Sequence, residues 1–505
     1  MKSDELRKIA SRIKKYDLID AFESVPEFDD WLSKLNTRQI KNLNSLILDP
    51  STITFPKVLL INENLLECDD YNNRINAMLK LKVVDEYHFR NLCSKNFLNS
   101  KNYYKDMEML SKVNSDKHYI LSIIDEKSFI ESKYHDQDLK LLVDACNIEN
   151  DDKNKNLSMV VSALARIAKN SASIKSKYHE QDMELIASFL YSDCSYPGDY
   201  LTDLATNEVS LNDKYHLENM RILSEEPISE KYLYYIMVNS RMIKGNNYRK
   251  EIEALNNAKS KIKAQAIYYY IYNPKDVYYF DFSQELYACG VEYNDIHLLE
   301  TQNNLKGSLN PKYLEYLNLL NQVEDKYVMF IENLLANKAS FYSGYQEYDL
   351  NLLLTITDKD MFMDLYRVMT DKYSLEGQHH INDVNMISKA TNEEIRKLLW
   401  RKAIEEESIN SDNHEYDMFY ITRLDLDNIE QERFNKMKYY LFNSEGINHA
   451  EHIDRLEKLY RGELLKNDDV ILEHLNNIEK NPDVSIINKD SKSKVLSKFK
   501  RLFRK

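Results

Sequence analysis

One phrase is written three times in this chain: Ser132-Lys-Tyr-His-Asp-Gln-Asp-Leu139, Ser176-Lys-Tyr-His-Glu-Gln-Asp-Met183 and Asp213-Lys-Tyr-His-Leu-Glu-Asn-Met220. A recurrence of this kind constrains the fold more than any composition value. A unit of a few tens of residues cannot bury its own apolar face and must stack on its neighbours. Degenerate copies begin at Cys68, Ser100, Asn247, Glu292, Ser343, Glu376 and Ser411. The aligned positions 71, 103, 134, 178, 215, 248, 293, 345, 379, 414 and 449 lie 31 to 52 residues apart, most of them 31 to 37.

That spacing predicts two helices of about 12 residues joined by short turns, so each unit reads as a helical hairpin. Ser132, Ser176, Asp213 and Ser411 stand where a helix start needs an oxygen to accept from an orphan amide. Behind them the apolar positions Leu139, Leu142, Val143 and Cys146, and Met183, Ile186, Ala187 and Leu190, follow helical spacing. Asp136, Asp138, Glu180 and Asp182 fall in first turns, where the helix dipole favours acids. Asn170, Asn207 and Asn337 each precede the next cap residue by six, and are read as left-handed residues that close the second helix.

The expected fold is therefore all-α, a right-handed α-solenoid of stacked two-helix repeats with capping helices. Residues 1–60, with Trp31, Ile40, Leu43, Leu46 and Leu48, read as an amino-terminal helical cap. Residues 61–465 read as ten to eleven repeats, irregular around 260–330. Residues 466–489 form a carboxy-terminal cap and linker, and 490–505 a basic amphipathic tail.

Composition points the same way. Eight Gly and eight Pro in 505 residues are too few for a turn-rich sheet fold. Five cysteines without paired spacing read as buried apolar residues of a reducing compartment. The amino terminus lacks a signal-like apolar run and no stretch is long enough to span a bilayer, so the expected location is cytoplasmic, or peripheral at the inner membrane surface. The 37 tyrosines are ascribed to an A/T-rich coding bias.

The recurrent Tyr-His pair is the most conspicuous polar feature. Tyr134, His135, Tyr178, His179, Tyr215, His216, His379 and His380 read either as an edge that meets a partner unit by unit, or as packing groups. Repetition favours packing, since catalysis needs its group once and packing needs it in every unit. His135 and Asp138, at i and i+3, are spaced for acid-base chemistry. His449 and His452 share a helix face but lack the further ligands of a zinc site. No phosphate-binding glycine loop occurs, and no metal or small-molecule cofactor is expected. An aromatic cluster, Tyr268–Tyr272 and Tyr278–Phe282, interrupts the spacing and reads as a lid, a partner contact or a distorted repeat.

The chain's −14 formal charge hides an asymmetry. Residues 490–505 carry seven Lys and Arg against one Asp, a net of +6, which leaves −20 on the rest. In this tail Lys492, Lys494, Lys498, Lys500, Arg501, Arg504 and Lys505 surround Phe499, Leu502 and Phe503, as in a helix that docks to an anionic membrane or a grooved partner. An inert tail and a fold-back on the acidic body are the other readings.

In architecture the chain resembles α-solenoids of the HEAT, armadillo and tetratricopeptide kind, without the landmark residues of any one family. The resemblance implies a non-enzymatic scaffold that binds a protein partner along its superhelical surface. The alternatives are a HEAT-like nucleic-acid grip, which the acidic body opposes, and an enzyme whose site the sequence does not display.

Overall fold

The computed structural model describes residues 33–45, 62–81, 91–113, 118–148, 157–191, 198–272, 283–302, 312–442 and 449–463, with Lys8, Phe89 and Tyr196. Every regular element among the described residues is helical, and none is a β-strand. Two compact units divide the chain, residues 1–256 and 257–505.

In the amino-terminal unit the repeat is resolved into three helices, where the spacing suggested two. A leading helix, Leu157–Lys169, is followed by a linking helix of barely more than one turn, Ser171–Lys175, and then by His179–Ser188, which carries the repeated phrase and is called the signature helix. Asp199–Thr206, Glu208–Leu211 and His216–Ser224 repeat the order, as do Glu230–Met237, Ser240–Ile243 and Tyr248–Asn256. Upstream come His118–Leu121, Lys127–Ile130 and His135–Cys146, and the pairs Lys95–Leu98 with Tyr103–Ser111 and Glu63–Leu66 with Tyr71–Met78. Like packs on like: each signature helix touches the next, the linking helices do so from Glu63–Leu66 to Glu208–Leu211, and the leading helices do the same.

The asparagines explain the extra helix. Asn170, Asn207 and Asn337 have φ of −76°, −85° and −67°, in the extended region rather than the left-handed one. They begin the linking helix instead of closing the leading one. Asn170 accepts from the amides of Ala172 and Ser173, and Asn207 from those of Val209 and Ser210. Asp371 and Asn239 do the same elsewhere. A side-chain oxygen over two orphan amides lets the chain restart a helix immediately after leaving one.

Expected cap residues do accept amides two residues on. Ser132, Ser176, Asp213, Ser343 and Ser411 bond the backbone N–H of Tyr134, Tyr178, Tyr215, Tyr345 and Asn413 at 3.0–3.1 Å. The apolar stripes behind them, Leu139, Leu142, Val143 and Cys146 and Met183, Ile186, Ala187 and Leu190, are buried. Each fully buried aliphatic side chain contributes about 1.5–3 kcal/mol of transfer free energy. Of the amino-terminal cap, helix Thr37–Ser45 is described. Ile40 and Leu43 are buried and Asn42 donates to the carbonyls of Leu66 and Cys68, while Trp31, Leu46 and Leu48 lie outside the described residues.

In the carboxy-terminal unit the triples are Asp325–Ala336, Lys338–Ser343 and Gln346–Leu353; Lys359–Thr370, Lys372–Glu376 and His380–Lys389; and Glu393–Ile404, Glu406–Ile409 and His414–Thr422. Gln431–Phe442 and His449–Tyr460 follow. Leading helix Asp325–Ala336 is buried at every position from Tyr327 to Ala336, which makes it the centre of this core. Between leading helix Lys261–Tyr272 and signature helix Tyr313–Gln322 the chain inserts two further helices, Ser283–Ala288 and Tyr293–Gln302. Glu292 and Asp295 of this insertion face Lys359 at 2.8 and 3.6 Å, and Ile296 and Leu299 are fully buried. Tyr278–Phe282, half of the aromatic cluster, lies outside the described residues, as do 466–489 and the tail from Lys492 to Lys505.

Cys93 and Cys146 are buried, whereas Cys68 and Cys289 are half-buried. Burial pushes the Cys93 thiol up to about 12. A disulfide-exchange reagent at pH 8 should leave Cys93 unmodified in the native protein and label it in urea, a difference that mass spectrometry of the labelled peptides would read. Replacing Asn170 or Asn207 with Ala should each cost about 1 kcal/mol, measured as a shift in the urea midpoint.

Candidate functional site

The repeated phrase places a His at the first position of signature helices His135–Cys146, His179–Ser188, His216–Ser224, His380–Lys389 and His414–Thr422, and in all but the third an Asp a turn later. His135 and Asp138 do not meet each other. Each serves a different neighbour: His135 Nε2 lies 3.0 Å from both carboxylate oxygens of Asp106 in the preceding signature helix, and Asp138 accepts from His179 of the following one at 3.0 Å. The same bond recurs as His216 to Asp182, at 2.9 and 3.0 Å. In the carboxy-terminal unit it runs from His380 to Asp349, His414 to Asp383 and His452 to Asp417, at 2.6–3.1 Å. None of these twelve residues is more than 3% exposed. The spacing that suggested an acid-base pair within one helix is a structural pair between two.

In all of these histidines but His452, whose Nδ1 has no hydrogen-bond partner, the other ring nitrogen is held as well. Nδ1 of His179, His216, His380 and His414 faces the hydroxyl of Ser173, Ser210, Ser374 and Ser408 at 2.9–3.2 Å. Each of those serines sits six residues earlier, on the linking helix. His135 differs, for its Nδ1 lies 3.1 Å from the Phe129 backbone carbonyl. The linking helix thus supplies a partner that the two-helix reading had no place for.

Tyrosine completes the unit. The ring preceding one histidine stacks on the next: Tyr134 on His179, Tyr178 on His216 and Tyr345 on His380, with centroids 4.6–4.9 Å apart. His379 stacks on His414 in the same way, at 5.0 Å. Lys133, Lys177 and Lys214 place their ammonium groups over the rings of Tyr134, Tyr178 and Tyr215 at 4.6–4.7 Å. Every letter of Ser-Lys-Tyr-His-x-x-Asp therefore has a structural task. The surface edge read from these residues is mostly interior: His135, His179, His216 and His380 are buried, Tyr178 is 8% exposed, and Tyr134, Tyr215 and His379 are half-buried.

At its ends the ladder changes chemistry. Arg74 holds the Asp position of its helix and lies 4.3 Å over the ring of Tyr103. Asn219 replaces the carboxylate and donates to the Tyr248 hydroxyl at 2.8 Å. Gln346 replaces the histidine and donates to the Leu334 and Leu335 carbonyls. Asp417 takes a second partner, the buried Lys402 ammonium at 2.8 Å, besides His452.

Burial raises the carboxyl groups of Asp138, Asp182 and Asp349 above the ordinary range, with their histidines pulling the other way. For His135 burial works against the charge, but Asp106, with help from the Phe129 carbonyl, outweighs it and the net shift is upward.

His449 and His452 diverge rather than converge. His449 Nδ1 bonds Asn413 Oδ1, whereas His452 belongs to the ladder. Among the described residues no group of three or more His, Cys, Asp or Glu is arranged to hold a metal ion. The sequence reading missed Asp106, Asp349, Asp383, Asp417, His414 and the four serines. A Ser exactly six residues before His in four copies was the available signal. No protein-family model, curated protein or solved structure matches the chain.

Asp182→Ala strands His216 in a dry interior and should cost about 3 kcal/mol. Asp136→Ala, at an exposed position two residues before Asp138, should change stability by less than about 0.5 kcal/mol. Urea unfolding of both, with a double-mutant cycle of Asp182 and His216, would separate the buried pair from a general loss of charge.

Proposed function

We propose that the chain is a right-handed α-solenoid scaffold, similar in architecture to HEAT, armadillo and tetratricopeptide proteins, that binds a protein partner along its superhelical surface. One observation carries the reading: inward positions of the signature helices repeat, while one outward position changes from unit to unit. The residue after the ladder histidine, or its equivalent, is Tyr104, Asp136, Glu180, Leu217, Arg249, Glu347, Ile381 and Glu415 in turn. Tyr104, Leu217 and Ile381 are 45%, 41% and 40% exposed there.

A frame that is fixed inside and varied outside suits recognition of a long partner, because each unit contributes its own contact without disturbing the packing. Large apolar side chains held half in water favour a partner that desolvates them. The acidic body disfavours nucleic acid, whose phosphates need clustered Lys and Arg. Among the described residues no helix is long and apolar enough to cross a membrane. The basic tail is the element of this proposal that would dock reversibly to an anionic surface.

Affinity capture from lysate of the native source would test the scaffold, using the full chain, the chain ending at residue 489, and a Tyr104→Glu, Leu217→Glu, Ile381→Glu variant. A discrete protein retained by the first two and lost by the third is the expected result. Retention of the same protein by the triple variant would remove the outward row as its site. Vesicles with anionic lipid should retain the full chain and release the chain ending at residue 489.

A further inference from the structure

We propose that the contact between signature helices Tyr103–Ser111 and His135–Cys146 is a pH-sensitive joint, because His135 bonds a backbone carbonyl where four equivalent histidines bond a serine hydroxyl.

A serine hydroxyl rotates. It donates to the bare Nδ1 of a neutral ring or accepts from the N–H of a charged one. Contacts of His179, His216, His380 and His414 with their serines therefore persist in either protonation state. His135 has no such freedom. The Phe129 carbonyl only accepts, and both oxygens of an ionised Asp106 only accept, so both ring nitrogens must carry hydrogen for both bonds to exist. Loss of one proton turns a nitrogen lone pair toward an oxygen in an interior where His135 is 3% and Asp106 1% exposed.

Three carboxylates act on this ring: Asp106 from the preceding signature helix, and Asp136 and Asp138 from its own. Lys105 and Lys101 act on Asp136, and His179 and Glu180 of the following signature helix act on Asp138. Linking helix Lys127–Ile130 contributes the carbonyl and the Phe129 ring, 4.5 Å from the imidazole. The upward shift of His135 agrees with this geometry. The sign follows: a histidine raised in the folded state holds the joint fully below its ordinary value of 6.5. That contribution disappears as pH rises through the raised value.

Hydrogen–deuterium exchange of the full chain between pH 6 and 8.5, normalised for the intrinsic exchange rate, would test this. Peptides from 103–111 and 127–146 should open more with rising pH, by up to about tenfold per pH unit, the limit for one proton released per opening. Peptides from 171–188 and 208–224 should not. His135→Gln should abolish the difference, and Gln346 at the equivalent position, donating to two carbonyls, shows that the frame accommodates glutamine. Equal pH dependence in both peptide sets, or its survival in His135→Gln, would overturn the proposal. Independently, imidazole 15N shifts of the wild-type chain should report His135 doubly protonated at pH 6, and a singly protonated ring there would overturn it.

Discussion

A carboxylate buried between two signature helices has to find a donor, and along the ladder of this protein the donor comes from the next repeat. Asp106, Asp138 and Asp182 in one unit, and Asp349, Asp383 and Asp417 in the other, each accept from a histidine about one repeat further along the chain. Apolar packing alone would tolerate a helix sliding along its neighbour by part of a turn. A hydrogen bond at about 3 Å between two directional groups does not. Buried ion pairs contribute little net stability, since desolvation offsets most of their attraction, but a broken one is expensive. The ladder thus sets register, and the apolar stripes beneath it, from Leu139 and Met183 to Val384 and Met418, supply the stability.

Register has to be fixed at both ends of the imidazole. A ring bonded only through Nε2 would pivot about that bond. The linking helix prevents this, because its serine meets Nδ1, and the tyrosine of the preceding repeat covers the ring face. This accounts for a helix of only four to six residues, below the length at which an isolated helix is stable. In Ser171–Lys175, Glu208–Leu211 and Lys372–Glu376 an Asn or Asp cap starts it, and it presents one hydroxyl to the imidazole.

Much of this was legible in the sequence, and the limits of legibility have physical causes. The amphipathic stripe is a local pattern, so periodicity alone found it. The expected caps Ser132, Ser176, Asp213 and Ser411 stand two residues too early, for the helices are capped at Tyr134, Tyr178, Tyr215 and Asn413, whose amides donate to those side chains. The destinations of Asp138 and Asp182 are not local. Spacing shows that Asp138 lies a turn beyond His135, and says nothing of His179, 41 residues away. The asparagines misled for a related reason: Asn serves both a left-handed helix end and a helix start, and only the dihedral angles near Asn170 and Asn207 distinguish them. The linking helix was too short to display a period, so a three-helix unit was read as a hairpin.

Departures from the pattern obey the same rule as the pattern itself. Where a carboxylate is replaced, as at Asn219, the partner changes from histidine to the Tyr248 hydroxyl, and a neutral donor meets a neutral acceptor. Where the histidine is replaced, as at Gln346, the amide turns to backbone carbonyls. Where Asp417 carries a second partner, that partner, Lys402, is itself tied to the Leu441 carbonyl. Each substitution gives the donor a new acceptor, which is the condition an interior imposes, although Asn219 Oδ1 and His452 Nδ1 are left without a hydrogen-bond partner. The outward positions carry less of this condition: Leu217 and Ile381 are 41% and 40% exposed, whereas Tyr104 still donates to Asp70 and Arg249 still pairs with Glu218 in the neighbouring helix. A chain that separates its constraints in this way can change its surface without changing how it folds.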